Sequence, residues 1–211
     1  MMVLIWPKRL PRLKPSGSIF TLALFFAPTI AAAVEETYGF DKGHSEIVFK
    51  WDHVGISTQS GEFFDFDGKV VFDRENIEAS AVEVTINVES LETGVPSLNT
   101  ELKGTNHFDG EQFPEITFKS TSVRQTGMDS GQVEGSLTIR GISKPVILDV
   151  WLVFEGDHPL GQFMEMFKDA HYLGFAARTR ILRSDFGMSA GVPLVSDRID
   201  IEIVAEMRRK D

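Results

Sequence analysis

The chain has 211 residues, 42% hydrophobic and 25% charged, with a formal net charge of −10. That size and composition suit one folded domain and argue against disorder. No cysteine is present, which excludes disulfide staples, thiolate metal sites and cysteine nucleophiles.

Residues 1–33 read as a secretory signal outside the fold. Lys8, Arg9, Arg12 and Lys14 form a basic start, an apolar run extends from Ile19 to Ile30, and Ala31-Ala32-Ala33 supplies a small-residue exit. The run is shorter than the roughly 20 residues that span a bilayer, and Pro28 interrupts it. Cleavage after Ala33 leaves 17 basic residues against 31 acidic ones, a formal charge of −14. A surface that acidic repels nucleic-acid phosphates, so nucleic acid is not an expected partner. The mature chain is expected to be exported, with no membrane span after cleavage.

Residues 34–211 are expected to form one domain dominated by period-two alternation. The first strand sets Ile47, Phe49, Trp51 and His53 against Val48, Lys50, Asp52 and Val54. Glu62–Asp73 repeats the pattern, with Phe64, Phe66, Gly68, Val70 and Phe72 on one face. In Ala81–Glu89, the residues Val82, Val84, Ile86 and Val88 oppose Glu83, Thr85, Asn87 and Glu89, as in a strand with one wet face. Five further strands are expected near Glu115–Arg124, Gly131–Arg140, Lys144–Glu155, Tyr172–Ser184 and Ser196–Met207. In the last of these, Ile199, Ile201 and Ile203 share a face. Turn chemistry separates the strands, notably Gly127–Gly131 and Gly141-Ile142-Ser143-Lys144-Pro145. Pro96–Asn106 is expected as a short helix, and Pro159–Ala170 as a small helix or flap.

The fold class that follows is all-β: an eight-stranded antiparallel, lipocalin-like barrel with one or two short helices. Eight strands close around side chains or around one small ligand. Alternation alone does not tell a packed interior from a hollow one, and apolar faces commonly pack against each other.

Residue patterns give little support for catalysis. His44, His53, His107, His158 and His171 show no tight metal-ligand spacing, so no metal site is expected. His44-Ser45-Glu46 imitates part of a zinc deaminase signature, but the cysteines that signature requires are missing. Asp65 and Asp67 read as a solvated outer face. No phosphate-binding loop, dinucleotide fingerprint or nucleophile elbow occurs. No cofactor and no catalytic residue is expected.

Four segments, taken in order, resemble the YceI-like family of polyisoprenoid-binding proteins. The first runs from Asp41 to Phe49, followed by His53-Val54-Gly55 and Gly61–Phe66. The second is His107-Phe108-Asp109 leading into Phe113–Ser120. The third is Gly135–Leu148, and the fourth joins Gly174–Ala177, Arg183–Gly187 and Val195–Ile199. The resemblance implies a barrel with an elongated tunnel for an isoprenoid tail, and export to the periplasm. Two departures stand out. His107 occupies a position where the family usually has a phenylalanine, and Gly161–His171 looks longer than usual and rich in Met and Phe.

On that basis the expected tunnel residues are Phe49, Trp51, Phe64, Phe66, Ile86, Phe118, Leu137 and Phe154. Arg178 and Arg180 share a face with Tyr172, Gly174 and Ala176. If that face points inward, they meet a pyrophosphate or quinone headgroup; if outward, they are surface charges. The Met-rich insert is expected as a lid over the tunnel or as a partner-contact patch. The expected function is a non-enzymatic carrier of an isoprenoid lipid, of polyprenyl or quinone type; homodimerisation is left open. The competing readings are an enzyme acting on an isoprenoid in the same barrel, and a filled barrel that works through its surface in stress or interaction.

Overall fold

The computed structural model describes residues 36–210, which fall in one compact unit. The expected signal, residues 1–33, lies outside the described residues.

Eleven strands form a single antiparallel sheet: β1 (Glu36–Phe40), β2 (Glu46–His53), β3 (Ser57–Phe63), β4 (Phe66–Phe72), β5 (Ala81–Asn87), β6 (Leu91–Glu92), β7 (Glu115–Gln125), β8 (Ser130–Ile139), β9 (Ile142–Asp157), β10 (His171–Leu182) and β11 (Arg198–Arg209). One α-helix, α1 (Pro96–Lys103), lies between β6 and β7. The ring β1–β4–β5–β7–β8–β9–β10–β11 closes on itself because β11 also pairs with β1. This is the closed eight-stranded barrel that the alternation led one to expect. Its membership is less obvious. β1 and β2 occupy successive stretches of the same edge of β11, with Phe40 opposite Met207 and Ile47 opposite Ile203. β4 and β3 lie outside them in turn, and β5 and β6 outside those. Three of the eight lanes are therefore each broken in two.

Each break has to satisfy the backbone groups it frees. Between β1 and β2 the Ser45 hydroxyl both accepts from the Glu206 amide (3.0 Å) and donates to the Glu206 carbonyl (3.1 Å). Asp41 N donates to the same carbonyl at 2.8 Å. Between β3 and β4 the Asp65 carbonyl accepts from Asn87 N at 2.8 Å, and the Asp65 side chain accepts from Asn87 Nδ2 at 3.1 Å. The expected strand Glu62–Asp73 is therefore two strands, joined through Phe64 and Asp65.

The inner face follows the alternation wherever the lanes are regular. β5 turns Val82, Val84 and Ile86 inward, β9 turns Val146, Leu148, Val150 and Leu152, and β11 turns Ile199, Ile201 and Ile203. One end of the barrel is covered by α1 and residues 104–113, through Leu102 and Phe108, and by the loop after β10, through Met188 and Val195. At the other end Tyr38, Leu173 and Met207 are almost fully buried beside Phe72.

Arg183 ties the loop after β10 to the barrel. It is 5% exposed, and its guanidinium donates to the carbonyls of Met188 (2.6 Å), Ser196 (2.9 Å) and Val195 (3.2 Å). Removing a buried cation's side chain orphans its partners. Arg183→Met is expected to lose about 3–5 kcal/mol of unfolding free energy, read as a lower urea midpoint, whereas an unchanged midpoint would show that these carbonyls find water instead.

Candidate functional site

The inward faces do not meet across the barrel. They enclose an elongated cavity of about 310 Å³, within the size range of small-molecule sites. Strands of 10–12 residues, tilted as in small barrels, give it a run of roughly 25–30 Å. Nearly all of its wall is apolar.

Two aromatic rings keep the cavity open by lying against glycine. Phe49 pairs across the strands with Gly61, and a Cβ built on Gly61 would stand 2.4 Å from the Phe49 ring. The Phe118 ring lies over Gly135 in the same way, at 2.4 Å. Any side chain at these glycines would push a ring toward the lumen. Phe49 also stacks on Trp51 (5.7 Å between centroids) and meets Phe63 and Phe108 edge to face or tilted, forming an aromatic cluster near the covered end.

Polar groups gather at the two ends. At one end the cavity shares Arg74, Ile77, Gln125 and Met128 with a surface depression that also includes Glu75, Asn76 and Glu78. This end is the mouth. Arg74 is ion-paired there with Glu155 at 3.3 Å, and Met128 is 86% exposed. At the covered end the polar wall residues are His107 and Arg183. Burial holds the His107 imidazole below its usual pKa, and the neighbouring Arg183 and Arg140 charges act in the same direction.

Of the ten residues expected at the site, Phe49, Trp51, Ile86, Phe118 and Leu137 line the cavity together. Phe66 is 3% exposed and inward, opposite Ile86, but it packs edge-on against Phe40 and does not line the cavity. Phe64 is 60% exposed on the outer surface. The break at Phe64-Asp65 inserts an odd step between inward Phe63 and Phe66, and so turns Phe64 outward. Phe154 also lies outside, because a bulge shifts the pairing between Gly174 and Phe175 and reverses the alternation of β9 beyond Leu152. Arg178 and Arg180 point outward as well. The Arg178 guanidinium sits 5.9 Å above the exposed Trp151 ring, and Arg180 donates to Asp200 at 2.8 Å. Neither reaches the cavity, so the headgroup role entertained for them is withdrawn. The sequence reading missed Phe63, Phe108, Phe175 and His107. The first three were legible as aromatic residues, but not as inward ones.

The Gly161–His171 insert contributes no residue to the cavity wall. It folds on the outer surface, where His158 stacks on Phe167 at 3.9 Å and meets Tyr172 edge-on at 4.7 Å. Phe163 and Met166 remain exposed. It does not form the expected lid. Asp41, His44 and Glu206 bring ligand atoms within 4.8 Å of one another, with His44 Nδ1 3.2 Å from the Asp41 carboxylate. These are surface groups outside the cavity wall. Among the described residues no helix is long and apolar enough to cross a membrane.

A closed eight-stranded barrel around an apolar tunnel is an architecture with room to enclose an apolar guest. The model of the YceI-like domain matches residues 38–207, and the chain belongs to the YceI-like family. Protein YceI of Salmonella arizonae is 35% identical over 190 residues, covering 89% of this chain and 94% of that protein. The Campylobacter jejuni YceI protein superposes with a TM-score of 0.67 at 28% identity, covering 76% of this chain and 90% of that one. Two more distant structures share the fold. Burkholderia cenocepacia BcnA has a TM-score of 0.69 at 23% identity, over 79% of this chain and 98% of its own. A polyisoprenoid binding domain from Saccharophagus degradans has a TM-score of 0.57 at 12% identity, over 84% and 100%.

Two outcomes follow from this geometry. Gly61→Ala is expected to turn the Phe49 ring into the lumen, lower stability by about 1–3 kcal/mol and reduce uptake of a long apolar probe, measured by quenching of Trp51 fluorescence. The second concerns pH. Because the folded-state pKa of His107 is lowered, the unfolded chain binds the proton more readily. Stability is therefore lost as pH falls below the ordinary histidine value of about 6.5, by up to about 1.4 kcal/mol per pH unit until the lowered value is reached. Urea titrations of the wild type and His107→Phe should diverge over that window, with the wild type losing more.

Proposed function

We propose that this protein is an exported carrier or reservoir for a long-tailed apolar lipid of isoprenoid type. Residues 1–33 act as a cleaved signal, and residues 34–211 as the carrier domain in the periplasm. The observation that carries the reading is the apolar tunnel, whose wall runs from Trp51 and Phe108 at the covered end to Phe72 and Phe175 near the mouth. Burial of each CH₂ group is worth about 0.8 kcal/mol. A tail of about 20 carbons thus gains on the order of 16 kcal/mol before ordering costs, and needs no charged partner to be held. The polyisoprenoid-binding domain from Saccharophagus degradans, which shares the fold, supports the isoprenoid class. Binding is favoured over catalysis because the wall offers a continuous apolar surface rather than a convergent set of acid, base and nucleophile. Phe49, Trp51, Ile86, Phe118 and Leu137 are the contacts proposed for the tail.

Native mass spectrometry of the protein purified from its own periplasm, followed by organic extraction, tests this. The expected spectrum carries one lipid adduct per chain, and the extract yields an isoprenoid. Ile201→Trp, which fills the middle of the tunnel, should keep the strand signal in circular dichroism and lose the adduct. A protein that carries no lipid and takes up no added polyprenyl lipid would instead favour a role at the surface.

A further inference from the structure

The outer face of the barrel carries a cluster that the tunnel does not use, at the break between β1 and β2. Asp41, His44 and Glu206 bring their ligand atoms within 4.8 Å of one another. Sequence spacing did not announce the group, because Glu206 comes from β11 and the other two from the loop after β1. Backbone bonds assemble it. Asp41 N donates to the Glu206 carbonyl at 2.8 Å, His44 N donates to the Asp41 carbonyl at 3.1 Å, and the Ser45 hydroxyl accepts from the Glu206 amide at 3.0 Å. The Asp41 carboxylate is itself oriented: its Oδ1 accepts from Gly43 N at 3.1 Å, and its Oδ2 stands 3.2 Å from His44 Nδ1. Two ligands of a tetrahedral zinc ion, each about 2.0–2.1 Å from the metal, lie roughly 3.4 Å apart. The edge between Asp41 and His44 already has about that length. Among the described residues no lysine or arginine forms an ion pair with Asp41 or Glu206. Lys42, next to Asp41 in sequence, turns instead to Asp65 and Asp67 at 3.4 and 3.9 Å.

An independent observation points to the same spot. Tyr172 faces outward on β10 opposite Arg208, and Gly174, which brings no side chain, lies opposite Glu206 on the same face. Tyr172 is only 4% exposed, because His158 and Phe167 pack edge-on around its ring. Its hydroxyl nevertheless has no hydrogen-bond partner among the described residues, although buried tyrosine hydroxyls usually find one. Burial, and next the Asp41 charge, push the phenol above its usual pKa; Glu206 adds to the effect and Arg208 opposes it. The hydroxyl thus lies in the field of both carboxylates and is bonded to neither. A cation held between the carboxylates answers both features. It offsets their charge, and a water in its coordination shell reaches the phenol. One imidazole and two carboxylates suit a borderline divalent ion such as zinc, and three protein ligands leave a fourth position for water. Magnesium and calcium prefer oxygen ligands alone.

We propose that Asp41, His44 and Glu206 form a zinc-type divalent metal site on the outer face of the barrel, with a metal-bound water in hydrogen-bond contact with the Tyr172 hydroxyl. The ion ties the loop between β1 and β2 to β11, at a place where a lane of the ring is interrupted. The site is independent of the tunnel and of whatever the tunnel holds.

The test is isothermal titration calorimetry of the purified protein, stripped with a chelator and titrated with zinc chloride. The wild type is expected to take up one zinc ion per chain. His44→Gln and Glu206→Gln should each lose that uptake while keeping the strand signal in circular dichroism. His53→Gln, which removes another exposed histidine, should bind as the wild type does. Tyr172→Phe should keep the stoichiometry and bind roughly tenfold more weakly, the range for a group that touches a metal's ligands from outside. Cobalt(II) added to the stripped wild type should give the intense visible bands of a four-coordinate site, and His44→Gln should not. If zinc binds the wild type no better than it binds His44→Gln, or if calcium binds as tightly as zinc, the cluster is a solvated acidic patch and the assignment is overturned. Equal affinity in Tyr172→Phe would overturn the part given to the phenol.

Discussion

A sheet closed into a ring of eight strands has no choice about what it does with alternate side chains: every second one points into the lumen. Whether those side chains meet depends on their reach, and here two of the aromatic ones are folded flat. Phe49 lies on Gly61 and Phe118 on Gly135, each ring occupying the place where a side chain would otherwise stand. Glycine in a strand normally weakens it. Here it lets an aromatic ring cover the wall instead of filling the centre, so the same residues that give the barrel its apolar area also leave it hollow. The tunnel follows from how the wall is packed rather than from a shortage of large side chains.

The wall is held by features that are not periodic. Three lanes are interrupted, and at each interruption a side chain or a displaced carbonyl restores the lost pairing. Ser45 stands in for a backbone group opposite Glu206, and Asp65 takes the amide of Asn87. Such interruptions let a narrow ring bend while the pairing of β1 with both β4 and β11 keeps it closed. The ion pairs on the outer face, such as Lys50 with Glu202 and Lys119 with Glu83, add little to this. They do hold those carboxylates below their usual pKa, which keeps the acidic exterior charged.

Legibility followed regularity. On β5, β8 and β11, alternation in the sequence is alternation in the structure, and Ile86, Leu137 and the three isoleucines of β11 fall where period two puts them. Phe49, Trp51 and Phe118 face inward for the same reason. Phe64 and Phe154 were misplaced because each follows an irregular step, a strand break in one case and a bulge in the other, and one extra residue reverses every later side chain. Nothing in the local composition announces either event. β1 went unread because five residues are too few to display a period, although its closure with β11 completes the ring. The helix over Pro96–Lys103 was legible from its proline start and its paired leucines, whereas its role in covering one end of the tunnel depends on contacts distant in sequence.

The two polar residues at that covered end illustrate how differently an apolar enclosure treats a satisfied and an unsatisfied group. Arg183 brings a full charge, yet three carbonyls and the nearby Asp197 surround it, and its environment is complete before any guest arrives. His107 brings only an imidazole, whose enclosed Nδ1 has no hydrogen-bond partner. In water the difference would be slight. In a tunnel lined with Phe, Ile and Val an enclosed nitrogen without a partner keeps the full cost of its lost hydration. A phenylalanine at this position would remove the unpaired nitrogen and its cost. The histidine instead leaves at that end a ring that burial disfavours from taking up a proton in the folded chain, which is why acid costs this barrel stability.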